Sequence, residues 1–270
     1  MRDRFDSDYI ESELKRIGAE LETSVTAYLI GGGAMSFRGL KDTTKDIDLV
    51  VTDGEDLQAL QGVLTANGYD VVREPNAEYD DLGATRILEN EDGCRIDIFN
   101  RRVVDKLVLS EGMRERSQTY LNVGGLSIAL VSTEDIFLFK AVAGRTDDVE
   151  DMFVLIQTGL DFDVVEVELG RQIELLEQEL FVTYVNEALT ELEERHNIST
   201  PLSDIVGEIT ERVYRELMVL QSFDDSLSKV ELRNRVDLPT SELEEALQSL
   251  ESKGVIHIKK ESIIKNSTPL

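Results

Sequence analysis

Residues 28–33 read YLIGGG, and after twelve intervening residues 46–51 read DIDLVV. The β-branched and apolar stretch 25–30 (VTAYLI) runs straight into Gly31, Gly32 and Gly33, as a strand does when it empties into a tight turn. Residues this small let an anionic group come close to main-chain N–H donors. A short helix expected from 34 to about 40 points its N-terminus at the same spot, which also favours anionic oxygens. In DIDLVV, Asp46 and Asp48 stand two apart on a strand, so both side chains leave one face while Ile47 and Leu49 turn to the core. Two carboxylates so placed suit a hard, oxygen-seeking cation such as Mg²⁺.

Working outward, residues 8–23 carry Ile10, Leu14, Ile17 and Leu21 at helical spacing. A helix is expected over 55–67, stopped by Gly68, and a third short strand over 69–73. ATRILEN (84–90), the turn residues Glu91, Asp92 and Gly93, and CRIDIFN (94–100) read as a hairpin, with Asp-Gly as the turn signal. Within it Asp97 lies between Ile96 and Ile98, an acid at the centre of an apolar strand, where charge is costly unless it has a use. If that strand pairs beside 46–52, three carboxylates converge, the arrangement that holds two metal ions about 3.5–4 Å apart in phosphoryl chemistry. A helical turn near 110–117 and two short strands around 119–131 close the sheet-forming region.

From Ser132 the pattern turns helical: 133–144 and 147–158 as a pair, then 164–195 as one long helix or two, with Pro201 as a break. Residues 203–222, 228–235 and 240–253, followed by VIHIKKESIIK, give three helices and a β-wing, an order that resembles a winged helix-turn-helix module. The expected fold class is therefore α+β, a mixed sheet flanked by helices, followed by a helical segment and a winged helix. The expected division is 1–131, 132–198 and 199–270.

The pattern apolar, Gly-Gly, about a dozen residues, then Asp-apolar-Asp-apolar resembles the DNA polymerase beta superfamily of nucleotidyltransferases, with Asp97 matching its third carboxylate one hairpin later. GGGAMSFRGLKDTTKDIDL is similar, more narrowly, to small prokaryotic nucleotidyltransferase-like proteins of the AbiEii toxin and lincosamide-modifying kinds. FKAVAGRTDDVEDM matches their downstream Lys followed by an Asp pair, with Lys140, Arg145, Asp148 and Asp151 in those positions. The resemblance covers roughly residues 24–160. It implies transfer of a nucleoside monophosphate from an NTP to an acceptor, with Mg²⁺ or Mn²⁺ held by Asp46, Asp48 and Asp97. Gly31, Gly32 and Gly33 would receive the phosphates, with Lys140 and Arg38 as cations for them; Lys41 and Lys45 flank the same turn. Many catalytic members carry Ser after the first glycine of the motif, where this chain offers only glycines. The acceptor, whether tRNA, protein or small molecule, is left open, and a toxin-like role is among those implied. The alternative is a catalytically inactive nucleotidyltransferase-fold protein that binds or regulates through its winged helix.

Composition narrows the rest. One cysteine excludes an internal disulfide and a cysteine-based zinc cluster, and two histidines leave little for other zinc sites. Apolar runs are broken by charge well before membrane-spanning length, and residues 1–16 carry no signal-peptide h-region, so a cytoplasmic protein is expected. Acids outnumber bases 55 to 28, a net charge of −27, and only ten of the bases are Lys. An acidic third helix in the C-terminal module (Glu242, Glu244, Glu245, Glu251) argues against DNA and favours a protein partner or a homodimer. Acid spread along a chain with an ample core, rather than gathered in a tail, suits a halophilic surface that stays soluble where salt screens charge over about 3 Å. Dilution from molar KCl into low salt should unfold the protein, as followed by circular dichroism; a signal indifferent to salt would remove the halophilic reading.

Overall fold

The computed structural model describes residues 3–72, 86–103, 106–260 and 262–266. The chain divides into two compact units, one of residues 1–177 and 187–200, the other of 178–186 and 201–270. In the first unit, in chain order, lie α1 (Ser7–Glu20), β1 (Val25–Ile30), α2 (Gly31–Phe37), β2 (Asp46–Val51) and α3 (Gly54–Ala66). There follow β3 (Asp70–Val71), β4 (Arg86–Glu89), β5 (Arg95–Asn100), β6 (Arg102–Val103) and β7 (Leu107–Val108). Next come α4 (Glu111–Arg116), β8 (Gln118–Val123), β9 (Leu126–Leu130), α5 (Thr133–Ala143), α6 (Thr146–Ile156) and α7 (Phe162–Leu176). Arg73, placed in the third strand by the sequence, and Ala84 and Thr85 of the hairpin lie outside the described residues.

Seven strands form a mixed sheet in the order β3-β4-β5-β2-β1-β9-β8. β2 and β5 are parallel, as are β1 and β9. The hairpin β4–β5 is antiparallel, as its Asp-Gly turn demands. α1 packs on β8 and β9, and α3 on β1, β2 and β5. The apolar stripe of α1 explains its docking: Ile10, Leu14 and Ile17 are essentially sealed from solvent, and Asp6 caps its first turn by accepting from the Tyr9 N–H. α5 is an exception to amphipathic spacing, with eight consecutive buried residues from Asp135 to Val142. It is a buried helix, packed against α2, α6 and α7, capped by Ser132 and ended by Gly144 in the left-handed region.

The glycine run behaves differently from the sequence expectation. The helix begins at Gly31 itself rather than at Ala34, so the glycines are its first turn. Gly31 takes φ +61, a conformation costly to any residue with a Cβ, and a Cβ there would collide with Asp48 Oδ2. The chain thus turns from β1 into α2 within one residue, and does so beside the acid of β2.

The second unit holds α9 (Ser203–Gln221), β10 (Ser226–Ser228), α10 (Lys229–Arg235), α11 (Thr240–Ser252), β11 (Ile256–Lys259) and β12 (Ser262–Lys265). The region expected as one helix or two is two: α7 and α8 (Leu180–His196). A three-stranded antiparallel sheet, β10-β12-β11, closes the unit. Its core is compact, with Val219, Leu232, Leu250, Ile256 and Ile263 almost wholly buried. Ser228 and Glu231 form a reciprocal capping box at the start of α10. Lys253 bridges Glu216 and Glu179 at 2.7 and 2.9 Å.

Two glycine substitutions separate freedom from necessity. Gly62→Ala, in the exposed middle of α3 with open space around its Cβ position, should stabilise the protein by about 0.5–1 kcal/mol. Gly31→Ala should destabilise it by about 2 kcal/mol or more. Thermal unfolding of both variants checks the pair, and a neutral Gly31→Ala would refute the role given to that turn.

Candidate active site

The carboxylates of β2 stand where the sheet and α2 meet. β2 alternates as its sequence requires, with Ile47 and Leu49 buried and Asp46 and Asp48 partly exposed on the other face. The parallel register sets Asp48 opposite Asp97 and Asp46 opposite Arg95. The two acids from distant parts of the chain are therefore neighbours on adjacent strands, and Asp97 is fully buried.

A cavity of about 330 Å³ opens over this place. Gly32, Asp46 and Asp48 form one side of its lining, and Lys140, Arg145, Asp148 and Asp151 contribute from α5, α6 and the turn between them. Lys41, Lys45 and Thr44 reach it from the loop before β2, and Arg4 from the segment before α1. A Cβ on Gly32 would stand 2.5 Å from Thr44 Oγ1, so the glycine brings backbone flush to the cavity where any other residue would crowd the loop.

Most cations of the lining are tied to acids of α6. Lys140 Nζ lies 2.7 Å from Asp148 Oδ1 and 2.8 Å from Asp151 Oδ2. Lys41 Nζ lies 2.7 Å from Asp151, Arg145 Nε 2.8 Å from Asp148, and Lys45 Nζ 3.3 Å from Asp147. Burial works against the Lys140 charge, but Asp148 and Asp151 outweigh it and hold its pKa above the ordinary value. Burial likewise opposes the Asp148 charge, yet Lys140 and Arg145 hold that carboxyl below the usual range. Asp48 goes the other way: burial first, then the charge of Asp46, push it up to about 6 against the pull of Arg145 and Lys140.

The expected site residues are thus partly gathered. Asp46, Asp48, Gly32 and Lys140 line one cavity, with Gly31 packed behind Asp48 and Asp97 on the neighbouring strand. Gly33 abuts Leu29 instead. Arg38 is not among the lining residues; its Nη2 donates to the Val131 carbonyl at 2.6 Å, tying the end of α2 to the segment after β9. Arg4, Thr44, Thr146 and Asp147 line the cavity although the sequence did not single them out. Arg4 arrives through a backbone bridge between Phe5 and Thr44, a contact with no local sequence signal.

A metal ion fits the donors in one respect. Two hard carboxylates border the cavity, and burial first, then the charge of Asp46, make the Asp48 charge costly in a way that a cation would relieve. Mg²⁺ is commonly held by one or two carboxylates, with water and substrate phosphates completing its shell. Among the described residues, no three or more His, Cys, Asp or Glu side chains are grouped so as to hold a metal by themselves.

A mixed sheet carrying a glycine turn and paired acids beside a helix pair whose buried lysine is matched by two acids defines the class, a nucleotidyltransferase-like fold. The chain belongs to the family described as nucleotidyl transferase of unknown function (DUF2204), whose model matches residues 10–200. A comparison with curated proteins gave no match. Among solved structures, the chain is similar to JHP933 from Helicobacter pylori at 14% identity and a TM-score of 0.35, covering 80% of this chain and 96% of that one. A second H. pylori structure, of a candidate nucleotidyltransferase, gives 13% identity and a TM-score of 0.35 over 77% of this chain and 95% of that one. A CCA-adding enzyme in complex with CTP gives 15% identity and a TM-score of 0.26, over 94% and 76%. At such scores these likenesses bear on neither substrate nor mechanism.

The Asp48 shift has a thermodynamic consequence. A carboxyl whose folded pKa lies above its unfolded value near 3.8 contributes stability below that value, and this is lost as pH rises through about 6. Asp48→Asn, which cannot ionise, should therefore be more stable than the wild type above pH 6, by up to about 3 kcal/mol. The difference should vanish near pH 4. Unfolding midpoints in metal-free buffer at fixed salt measure it, and a difference that does not change with pH would refute the electrostatic account.

Proposed function

We propose that the protein is a metal-dependent nucleotidyltransferase that moves a nucleoside monophosphate from an NTP to an acceptor hydroxyl. The carrying observation is that Asp46, Asp48 and Gly32 of the glycine turn border one cavity whose lining also holds the bases Arg4, Lys41, Lys45, Lys140 and Arg145. Membership of a family of nucleotidyl transferases supports the same reading. The acceptor oxygen attacks the α-phosphorus, the bond from that phosphorus to the oxygen bridging to the β-phosphorus breaks, and pyrophosphate leaves. The acceptor's proton passes to a carboxylate of the site.

In this reading Asp46 and Asp48, with Asp97 beside them, hold Mg²⁺ or Mn²⁺, which when bound offsets phosphate charge and favours ionisation of the acceptor. The chain's own contributions are positional. Gly31 lets Asp48 pack against the turn, Gly32 lets a phosphate approach main-chain N–H groups, and the Lys140–Asp148–Asp151 cluster fixes α5 and α6 along the cavity wall. The acceptor is a tRNA, a protein or a small molecule, and a toxin role belongs to the same open set. For the second unit we propose a winged helix serving a protein partner or a homodimer. Support comes from α11, whose Glu242, Glu244 and Glu245 face the bases Arg215 and Arg233, so that little positive charge is left for a nucleic-acid backbone.

A second reading, a fold kept for nucleotide binding or regulation without transfer, draws on the pairing of Lys41, Lys45, Lys140 and Arg145 with acids of α6. Titration calorimetry of each NTP in molar KCl, with and without Mg²⁺, on wild type and Asp48→Asn, tests the proposal. Binding that needs both Mg²⁺ and Asp48, with pyrophosphate release once an acceptor pool is added, is expected. Binding without pyrophosphate release from any acceptor pool would favour the second reading, and no binding of any NTP would overturn both.

A further inference from the structure

Arg4 stands apart from every other base of the cavity lining. Lys41, Lys45, Lys140 and Arg145 are each ion-paired to Asp147, Asp148 or Asp151. Among the described residues, the Arg4 side chain makes no ion pair and no hydrogen bond. It is exposed, yet its backbone is fixed: the Phe5 N–H donates to the Thr44 carbonyl at 2.8 Å and the Thr44 N–H returns the bond to Phe5 at 2.9 Å. Phe5 is buried and its ring packs at a tilt against Tyr9, 4.6 Å between centroids, so the residue next to Arg4 is anchored from both backbone and side chain.

The neighbouring acids do not neutralise it. Asp6 is engaged in capping α1. Asp3 lies towards the β4–β5 turn, its Oδ2 3.9 Å from where a Cβ of Gly93 would be. In a chain of net charge −27, an unpaired guanidinium held at the mouth of a cavity is a place where an anion gains a strong, two-pronged hydrogen bond. The cations already paired with α6 would have to give up a partner first.

Building on the nucleotidyltransferase reading, we infer that Arg4 grips the polyphosphate of the incoming nucleoside triphosphate, as a specificity residue supplied by the segment before α1. Its effect is on binding of the phosphates. Affinity for the triphosphate should fall about tenfold in Arg4→Met, with nucleoside affinity unchanged and Arg4→Lys recovering part of the loss. Since Arg4 is exposed and unpaired, the unfolding midpoint of both variants should match the wild type.

The experiment is calorimetric titration of wild type, Arg4→Met and Arg4→Lys with the four NTPs, a nucleoside, and inorganic tripolyphosphate, all with Mg²⁺ at one salt concentration. Weakened NTP and tripolyphosphate binding in Arg4→Met, with partial recovery in Arg4→Lys, supports the assignment. NTP binding to Arg4→Met as tight as to wild type overturns it and leaves the nucleotidyltransferase reading standing. Wild type that binds tripolyphosphate through Arg4 but no NTP keeps the anion grip and sinks the nucleotidyl reading. No binding of either to wild type ends both.

Discussion

The structure of the site hangs on the parallel pairing of β2 with β5. Hydrogen bonding between these strands fixes Asp48 opposite Asp97 and Asp46 opposite Arg95, and a slip of one residue would send the acids into the core and Ile47 and Leu49 to the cavity. Register is enforced by burial on the other face, where Ile47, Leu49, Ile96 and Ile98 are sealed from solvent. The acid-bearing face therefore inherits its precision from the apolar face. Gly31 follows from the same constraint, because Asp48 occupies the space a side chain there would need.

Charge around the cavity is arranged in two different ways. On β2, burial first and the charge of Asp46 second oppose the Asp48 charge and raise its pKa. On α6 the acids are matched, and a buried lysine is kept charged by two carboxylates. Ion pairs taken out of water add little net stability, but removing one partner leaves the others expensively exposed to a low dielectric. The acids of the α5–α6 wall are therefore matched, while the β2 wall holds an unmatched electrostatic demand that a cation would relieve. A similar matched cluster lies away from the cavity, where Arg116 joins Asp135 and Glu168 at 2.6 and 2.7 Å and ties α4 to α5 and α7.

No helix among the described residues is long and apolar enough to cross a membrane. The acid that dominates the composition is carried largely on helical surfaces, where i,i+4 pairs such as Lys15–Glu11 relieve part of the repulsion. The second unit manages charge in the same manner, with Lys253 holding Glu216 and Glu179 around the end of α11.

Much of this was legible in the sequence because it follows from local periodicity. Alternation in DIDLVV gave the two faces of β2, Asp92-Gly93 gave the hairpin, and the spacing of Ile10, Leu14 and Ile17 gave the docked face of α1. The glycine turn and the acid pair were visible for the same reason, since both depend on residues adjacent in the chain. α2 starts three residues before the point its periodicity suggests, because Gly31 can enter a helix from the left-handed region without the cost that a residue with a Cβ bears. What the tertiary structure alone decided were the meetings of distant segments: Arg38 turned to the Val131 carbonyl, Lys140 matched by both Asp148 and Asp151, and Arg4 carried to the cavity by Phe5 and Thr44. Those outcomes depend on burial and hydrogen bonding across the fold, which no spacing along the chain encodes.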